Sequence, residues 1–502
     1  MTKQNARPST SYDGHAQIDL RARAHLEMIA AGFAPDFAAE VKNEIANSSP
    51  AGDGNVNSSV RDLRSLLWSS IDNPESQDLD QLEYAERQDN GQARLMIAIA
   101  DVDSRVPKGS ATDRHALQNT TSVYTGIVTY PMLPDELSFD QTSLLQDKER
   151  RSIVIDLILD KGGTVLKSDV YLALVTNHAK LDYITIGKWL EAGGAPPDKV
   201  SNVAGLSEQL LLQNDLKQRI HDQRERQGSL HLHTLETATI AKDGEVLDLE
   251  EVEENPARDL IENFMISGNI AVSHFLEGKK LPSIRRVVKT PERWDRIVQV
   301  AASYSYSLPS RPDGKALARF LLQQREADPA HFPDLSLTIV KLLGRGEYTI
   351  EVPGQADQGH FALAVHDYTH ATAPNRRYAD LVTQRLVKAA IAGKPIPYSL
   401  DELNDVALQC TRKEDAAKKV ERTMRKVAAA VLLSKHIGEI FDGFVTGVKD
   451  DATYCRIIKP PAEGRIMKGY RGLDVGDKVK VRLLSTDPEN AYIDFACISH
   501  HS

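Results

Sequence analysis

Apolar residues fall at two different periods along this chain, and the switches between them divide it. Leu20, Ala24, Leu26, Ile29, Phe37, Val41 and Ile45 recur at helical spacing, which predicts helix across 17–47. The segment 48–59, rich in Ser, Gly and Asn, has linker composition and marks the clearest boundary. Between about 60 and 180 the pattern is strand-like, with strands predicted at 94–102, 152–159 and 165–175; Lys161-Gly162-Gly163 joins the last two as a hairpin. Helical spacing returns over 184–227, broken by Gly193-Gly194-Ala195-Pro196-Pro197. A second strand pair is predicted at 229–240 and 246–249, joined through Lys242-Asp243-Gly244, which makes His231 and His233 alternate strand positions. After Pro256 helices dominate to 436. Short strands at 441–448, 454–458, 478–484 and 491–495 then predict a small barrel.

A chain of 502 residues suggests roughly two to four domains with ample core. With 41% hydrophobic and 26% charged residues it has soluble globular composition, and no apolar run reaches membrane-spanning length. The first sixteen residues are polar, so no secretory signal is expected. Cys410, Cys455 and Cys497 are odd in number and far apart, which fits neither a zinc spacing nor a disulfide framework and points to a reducing compartment. A net charge of −10 argues against indiscriminate nucleic-acid binding but leaves room for a local basic channel.

The densest chemistry is at Asp72, Asp78 and Asp80, within nine residues and followed by Gln81, in a polar turn containing Pro74. Asp78 and Asp80 share a face in extended chain. Gathered carboxylates repel one another unless a cation sits among them. Hard oxygen ligands suit Mg²⁺, which keeps waters and substrate phosphates in its shell. A solvated acidic turn would have the same spacing, and both readings stay open at this point. Arg376 and Arg377 follow Pro374, where the chain turns into a helix; forked guanidiniums at a helix start suit phosphate, and Asp380 is within reach to hold one of them. The bland alternative is a surface Arg–Asp helix pair. His366 and His370 have the spacing of a zinc pair but no third ligand is suggested. The stretch 411–436 carries eight basic residues against three acidic ones, as a solvated helix face or one wall of an RNA path.

These pieces, in this order, resemble the ribonuclease II and R family, exoribonucleases with an RNB catalytic domain, over about 60–498. The Asp72 to Asp80 stretch resembles the family's acidic cluster, and Ile99-Ala100-Asp101-Val102 the strand that follows it. Tyr130-Pro131-Met132-Leu133-Pro134 with Leu137-Ser138, and Tyr368-Thr369-His370 with 374–381, match two further blocks. Residues 437–498, with the turn 472–477, resemble the family's C-terminal OB-fold module of the ribosomal S-one type. The resemblance implies an α+β multidomain chain: a small helical N-terminal domain with its linker (1–59), an RNB catalytic domain of mixed sheet and helices (60–436) and an OB-fold barrel that binds RNA (437–502). It implies a Mg²⁺-dependent, processive 3′→5′ exoribonuclease with two ions at Asp72, Asp78, Asp80 and Gln81. Asp80, Asp78 and Arg376 would be catalytic, and Tyr124, Tyr183, Arg376, Arg377 and Glu421 would contact RNA. It further implies a cytoplasmic monomer whose partner is single-stranded RNA and which needs no membrane.

Three departures qualify the resemblance. Gln81 stands where the family has a fourth aspartate, and brings a carbonyl oxygen without charge. Leu232 stands where the family has a further stacking aromatic. About sixty mostly helical residues replace the family's paired N-terminal cold-shock barrels. The alternative kept open by Gln81 is a catalytically weak RNA-binding protein.

Overall fold

A computed structural model describes residues 18–47, 60–233, 237–242, 244–329, 331–354, 359–449 and 452–501. The polar first sixteen residues and the linker 48–59 lie outside the described residues, as does Asp243 in the turn expected to join the second strand pair. The N-terminal helical segment is two helices, Leu20–Ala30 and Ala39–Asn47. They are split where Gly32 takes φ +78° and the Phe33 amide closes back on the Met28 carbonyl at 2.9 Å. Asp19 caps the first helix, accepting from the Arg21 and Ala22 amides. Leu20, Ala24, Met28 and Phe33 pack with Val420, Met424 and Val427 of the long helix Leu400–Leu433, so this segment shares its core with the body that follows.

That body is built on a six-stranded sheet with the order Arg61–Asp62, Val165–Asp182, Trp68–Asp72, Gln81–Arg87, Ala93–Ala100, Glu149–Leu159. The hairpin at Lys161–Gly163 forms as expected, pairing Glu149–Leu159 with the first part of Val165–Asp182; the far part of that long strand pairs in parallel with Trp68–Asp72. Leu95 to Ala100 are all buried, because helices cover the sheet. The helix Pro256–Gly278 lies so close that a Cβ on Gly268 would stand 3.3 Å from both Ile97 and Ile155.

The second strand pair is Thr237–Lys242 with Glu245–Glu251, shorter at its start than the sequence pattern predicts. Residues 229–233 are not a strand. The helix Leu206–Gln227 ends in Gly228 at φ +100°, and the amides that follow bond to other loops: Leu230 to the Ala362 carbonyl and His233 to Ser336 Oγ. His231 and His233 are therefore not alternate strand positions. His231 meets His221 edge to face at 5.3 Å, and His233 pairs with Glu254. The helical region also contains an unexpected antiparallel pair, Ser283–Val287 with Glu347–Glu351; every residue of the first strand is buried, so no alternation betrays it.

The chain finishes as a closed five-stranded barrel of Ile440–Lys449, Ala452–Ile457, Ala462–Lys468, Tyr492–His501 and Lys478–Asp487 in that spatial order. Ala462–Lys468 is the strand the periodicity missed. The end of the long helix plugs the barrel, Ala430 and Leu433 joining Val445, Cys455, Val481 and Phe495 in one cluster. Among the described residues no helix is long and apolar enough to cross a membrane.

Candidate active site

Strands Trp68–Asp72 and Gln81–Arg87 are antiparallel neighbours, so the turn between them returns Asp80 to the end of the sheet where Asp72 leaves it. The turn is anchored from two sides. Lys180 Nζ donates to the Ser76 carbonyl at 2.5 Å; Ser143 Oγ accepts from the Leu79 amide and donates to the Gln77 carbonyl. Asp72 accepts from its neighbour's amide and from Ser76 Oγ, and Asp78 accepts from the Tyr124 hydroxyl at 3.1 Å. Asp80 is 3% exposed. It accepts from the Asn375 amide at 3.0 Å, and Arg376 Nε reaches it at 3.5 Å.

The arginine turn is set by Asp380, which accepts from the Ala373 amide at 2.8 Å and from Arg377 Nε and Nη2 at 2.8 and 2.7 Å. The two arginines thus differ. Arg377 is the one Asp380 holds, with 22% of its side chain exposed, whereas Arg376 keeps 43% exposed and makes one long contact to Asp80. The Arg376 charge acts on Asp72, Asp80, Tyr124 and Tyr183 alike, so the fold gathers these five around one point.

Tyr124 stands on the Asp78 side, 42% exposed, its amide held by Glu421 Oε1 at 3.0 Å. Tyr183 opens the helix Tyr183–Ala192; the Arg258 guanidinium lies over its ring at 4.6 Å and also donates to Asn73. A cavity of about 870 Å³ adjoins the cluster, with Asn73, Asp78, Tyr124, Arg258, Glu421 and Arg425 among its walls. Of the basic residues on the long helix, Arg425 faces this cavity. Lys413 is committed to the Gly32 carbonyl and the Phe33 ring, and Lys418 pairs with Glu414.

Burial raises Asp80 to about 7 against the pull of Arg376, and raises Asp72 as well. Burial also lifts Tyr124, Tyr183 and Glu421 above their ordinary values. One residue that the sequence reading passed over belongs beside them. Glu83 is fully buried, and neither of its carboxylate oxygens has a hydrogen-bond partner. A buried carboxylate left in this state is costly unless it is protonated or meets a cation. Together with the lone long contact to Asp80, it gives the site a deficit of positive charge that a divalent ion fits, although the ligand atoms of Asp72, Asp78 and Asp80 are not drawn into one tight cage.

The tight acidic trio among the described residues is Glu277, Glu351 and Asp367, where Arg285 already pairs with Glu351 and Asp367. Among the described residues His366 and His370 do not form a metal pair with a third ligand: His370 is half-buried with Nδ1 against the Tyr348 hydroxyl at 2.8 Å, and desolvation lowers its pKa. Leu232 packs beside the helical cluster of Trp294, Phe320 and Leu335.

Comparison with known proteins agrees with this architecture. The RNB domain family matches residues 60–393, and the RNase II-type exonuclease C-terminal S1 domain matches residues 439–497. Ribonuclease R of Thermotoga maritima is 26% identical over 474 residues, covering 87% of this chain and 65% of that protein, so the chain spans just under two thirds of this relative. The structure of Mycoplasma genitalium RNase R in complex with ribose-methylated single-stranded RNA superposes with a TM-score of 0.86 at 22% identity, over 96% of this chain and 78% of that one. The structure of yeast Ssd1, a pseudonuclease, superposes with a TM-score of 0.65 at 18% identity, over 86% of this chain and 52% of that one. These two likenesses concern the fold alone.

Proposed function

Since the chain belongs to the RNB family, we propose that it is a Mg²⁺-dependent, processive 3′→5′ exoribonuclease that hydrolyses single-stranded RNA to nucleoside 5′-monophosphates. The observation that carries this reading is Asp80: a buried carboxylate with one long cation contact, beneath a half-exposed arginine and beside a large cavity. Two ions held by Asp72, Asp78 and Asp80, with the Gln81 carbonyl in reach, would supply a nucleophilic water and offset charge on the leaving oxygen. The remaining roles fall to the chain itself. Arg376, poised over Asp80, clamps the phosphate and stabilises its developing charge. Tyr124 and Tyr183 offer ring faces that stack on any base, which makes the grip sequence-tolerant. Glu421 fixes the backbone of Tyr124, and Arg425 lends the cavity positive charge for the RNA backbone. Arg377 serves by holding the turn that carries Arg376.

In this reading 60–436 is the catalytic part, 437–502 an RNA-binding barrel and 1–59 an N-terminal helical part. The enzyme is a cytoplasmic monomer, and its three cysteines are all free thiols.

A second reading, an RNA-binding protein with weak or no catalysis, rests on Gln81. One assay separates them. Labelled single-stranded RNA incubated with Mg²⁺ yields mononucleotides under the first reading; tight binding without product supports the second. Equal cleavage of single-stranded DNA would contradict selection through the 2′-hydroxyl.

A further inference from the structure

Glu83 follows Gln81 by two residues on the strand Gln81–Arg87, so the two side chains leave the same face. Its cross-strand partner is Ser69, on the strand that ends in Asp72. Facing residues on paired strands bring their side chains together. Ser69 Oγ, like both oxygens of Glu83, is buried without a hydrogen-bond partner. Three unsatisfied oxygens thus lie on one row of the sheet, where buried polar atoms are normally paired. Glu83 is 0% exposed, so bulk water does not satisfy it either. Burial raises its carboxyl well above the usual range, the like charge of Asp72 adds to this, and Tyr183 feels Asp72 and Glu83 together. The row therefore belongs to the electrostatic neighbourhood of the candidate site, and it holds hard oxygen donors with no cation.

We propose that Glu83 supplies the carboxylate missing at Gln81, so that a divalent ion is held from the strand side by Glu83 together with Asp72 and the Gln81 carbonyl. The acidic ligand has moved two places along the strand, a shift that preserves the face. This rests on the metal reading of the site given above. Gln81 then ceases to be a defect, and the carboxylate count of the site is complete.

The test uses Mn²⁺ as the probe, titrated into the metal-free full-length protein and followed by electron paramagnetic resonance and by the Mn²⁺-induced rise in melting temperature. Glu83→Gln is expected to weaken Mn²⁺ binding about tenfold or more, while metal-free Glu83→Gln melts no lower than wild type because the amide replaces a buried carboxyl that has no hydrogen-bond partner. The double variant Q81D/E83L, which returns the carboxylate to position 81, is expected to recover affinity to within about threefold of wild type. Gln81→Asp alone, on the wild-type background and independent of how Glu83→Gln folds, is expected to change affinity by less than about threefold. Wild-type Mn²⁺ affinity in Glu83→Gln, or a tenfold gain in Gln81→Asp, overturns the role of Glu83 and leaves the nuclease reading intact. If wild type binds no Mn²⁺ at all, the metal reading falls and this inference falls with it.

Discussion

Asp78-Leu79-Asp80 and Asp101-Val102-Asp103 have the same spacing and lie at adjoining strand ends, where the Ala100 amide donates to the Asp80 carbonyl at 3.0 Å. Around the second pair the protein supplies its own cations. Lys388 Nζ sits 2.7 Å from Asp101 and 2.8 Å from Asp103. Arg385 reaches Asp103 at 3.0 Å and Asp113 at 2.8 Å, and the Tyr378 hydroxyl donates to Asp113 at 2.9 Å. Around the first pair, Arg376 reaches Asp80 alone at 3.5 Å, and the buried Glu83 nearby has no hydrogen-bond partner. Two clusters with the same local motif thus divide into one that is complete as folded and one that awaits a cation. What separates them is the balance of charge brought in from distant parts of the chain. The Asp-x-Asp spacing is the same in both.

Removing a carboxylate from each cluster should break two different things. Asp80→Asn is expected to lower mononucleotide release by about 10²–10³-fold or more while leaving RNA affinity nearly unchanged. Single-turnover release with excess enzyme and a filter-binding titration measure the two. Asp113→Asn is expected to cost about 1.5–3 kcal/mol of stability, since the buried Arg385 loses one of its two carboxylate partners and keeps Asp103. Turnover per folded molecule stays within about threefold, and urea unfolding beside the same release assay reads both. If folded Asp113→Asn loses turnover as Asp80→Asn does, the division between the clusters is wrong.

The tyrosines sharpen the contrast at a smaller scale. Each cluster has two, Tyr124 and Tyr183 at the candidate site and Tyr378 and Tyr398 at the paired one. Tyr124→Ala and Tyr183→Ala are each expected to weaken single-stranded RNA binding by about 1–3 kcal/mol, the worth of one stacked base. Tyr378→Phe removes one buried hydroxyl and is expected to cost about 1 kcal/mol of stability with RNA affinity unchanged. Equilibrium binding of a short RNA to all three variants decides it; loss of RNA affinity in Tyr378→Phe would place the paired cluster in the RNA path.

This contrast also marks where the sequence is legible. The hairpin at Lys161–Gly163 was readable because its turn and its flanking strands are local signals. The gathering of Asp72, Asp78 and Asp80 was readable for the same reason. The division of labour between Arg376 and Arg377 was not, since spacing puts Asp380 within reach of either and only the fold of the turn chooses. Glu83 was hidden by the pattern itself. In Gln81-Leu82-Glu83-Tyr84 the polar residues alternate as they would on a solvated strand face, yet packing buries that face. The cations of the paired cluster come from a helix nearly three hundred residues away, Tyr378–Ile391, and no local pattern near Asp101 announces them.

The smallest expected effect distinguishes the clusters by pH. Burial raises Asp80 to about 7 from the ordinary 3.8. Its folded form takes up a proton before the unfolded chain does, so its ionisation costs stability as pH rises through 7, and the cost is gone once the carboxyl is protonated. In metal-free protein, the stability of wild type relative to Asp80→Asn is therefore expected to fall by about 1 kcal/mol between pH 6 and pH 8. The difference between the two proteins is the quantity to measure, because buried histidines act in the opposite sense. Burial holds His231 and His360 at about 4, so the unfolded chain protonates them first and their contribution is lost as pH falls from 6.5 towards 4. Lys388 of the paired cluster responds at the alkaline end. Burial would lower Lys388, but Asp101 and Asp103 outweigh it and raise it, so its stabilisation is full below 10.5 and disappears as pH climbs through the raised value. Urea unfolding with a chelator present, at pH 6, 7 and 8, resolves the Asp80 effect. Parallel curves for wild type and Asp80→Asn would mean that the fold already balances Asp80 as fully as it balances Asp101, and the two turns would no longer differ in kind.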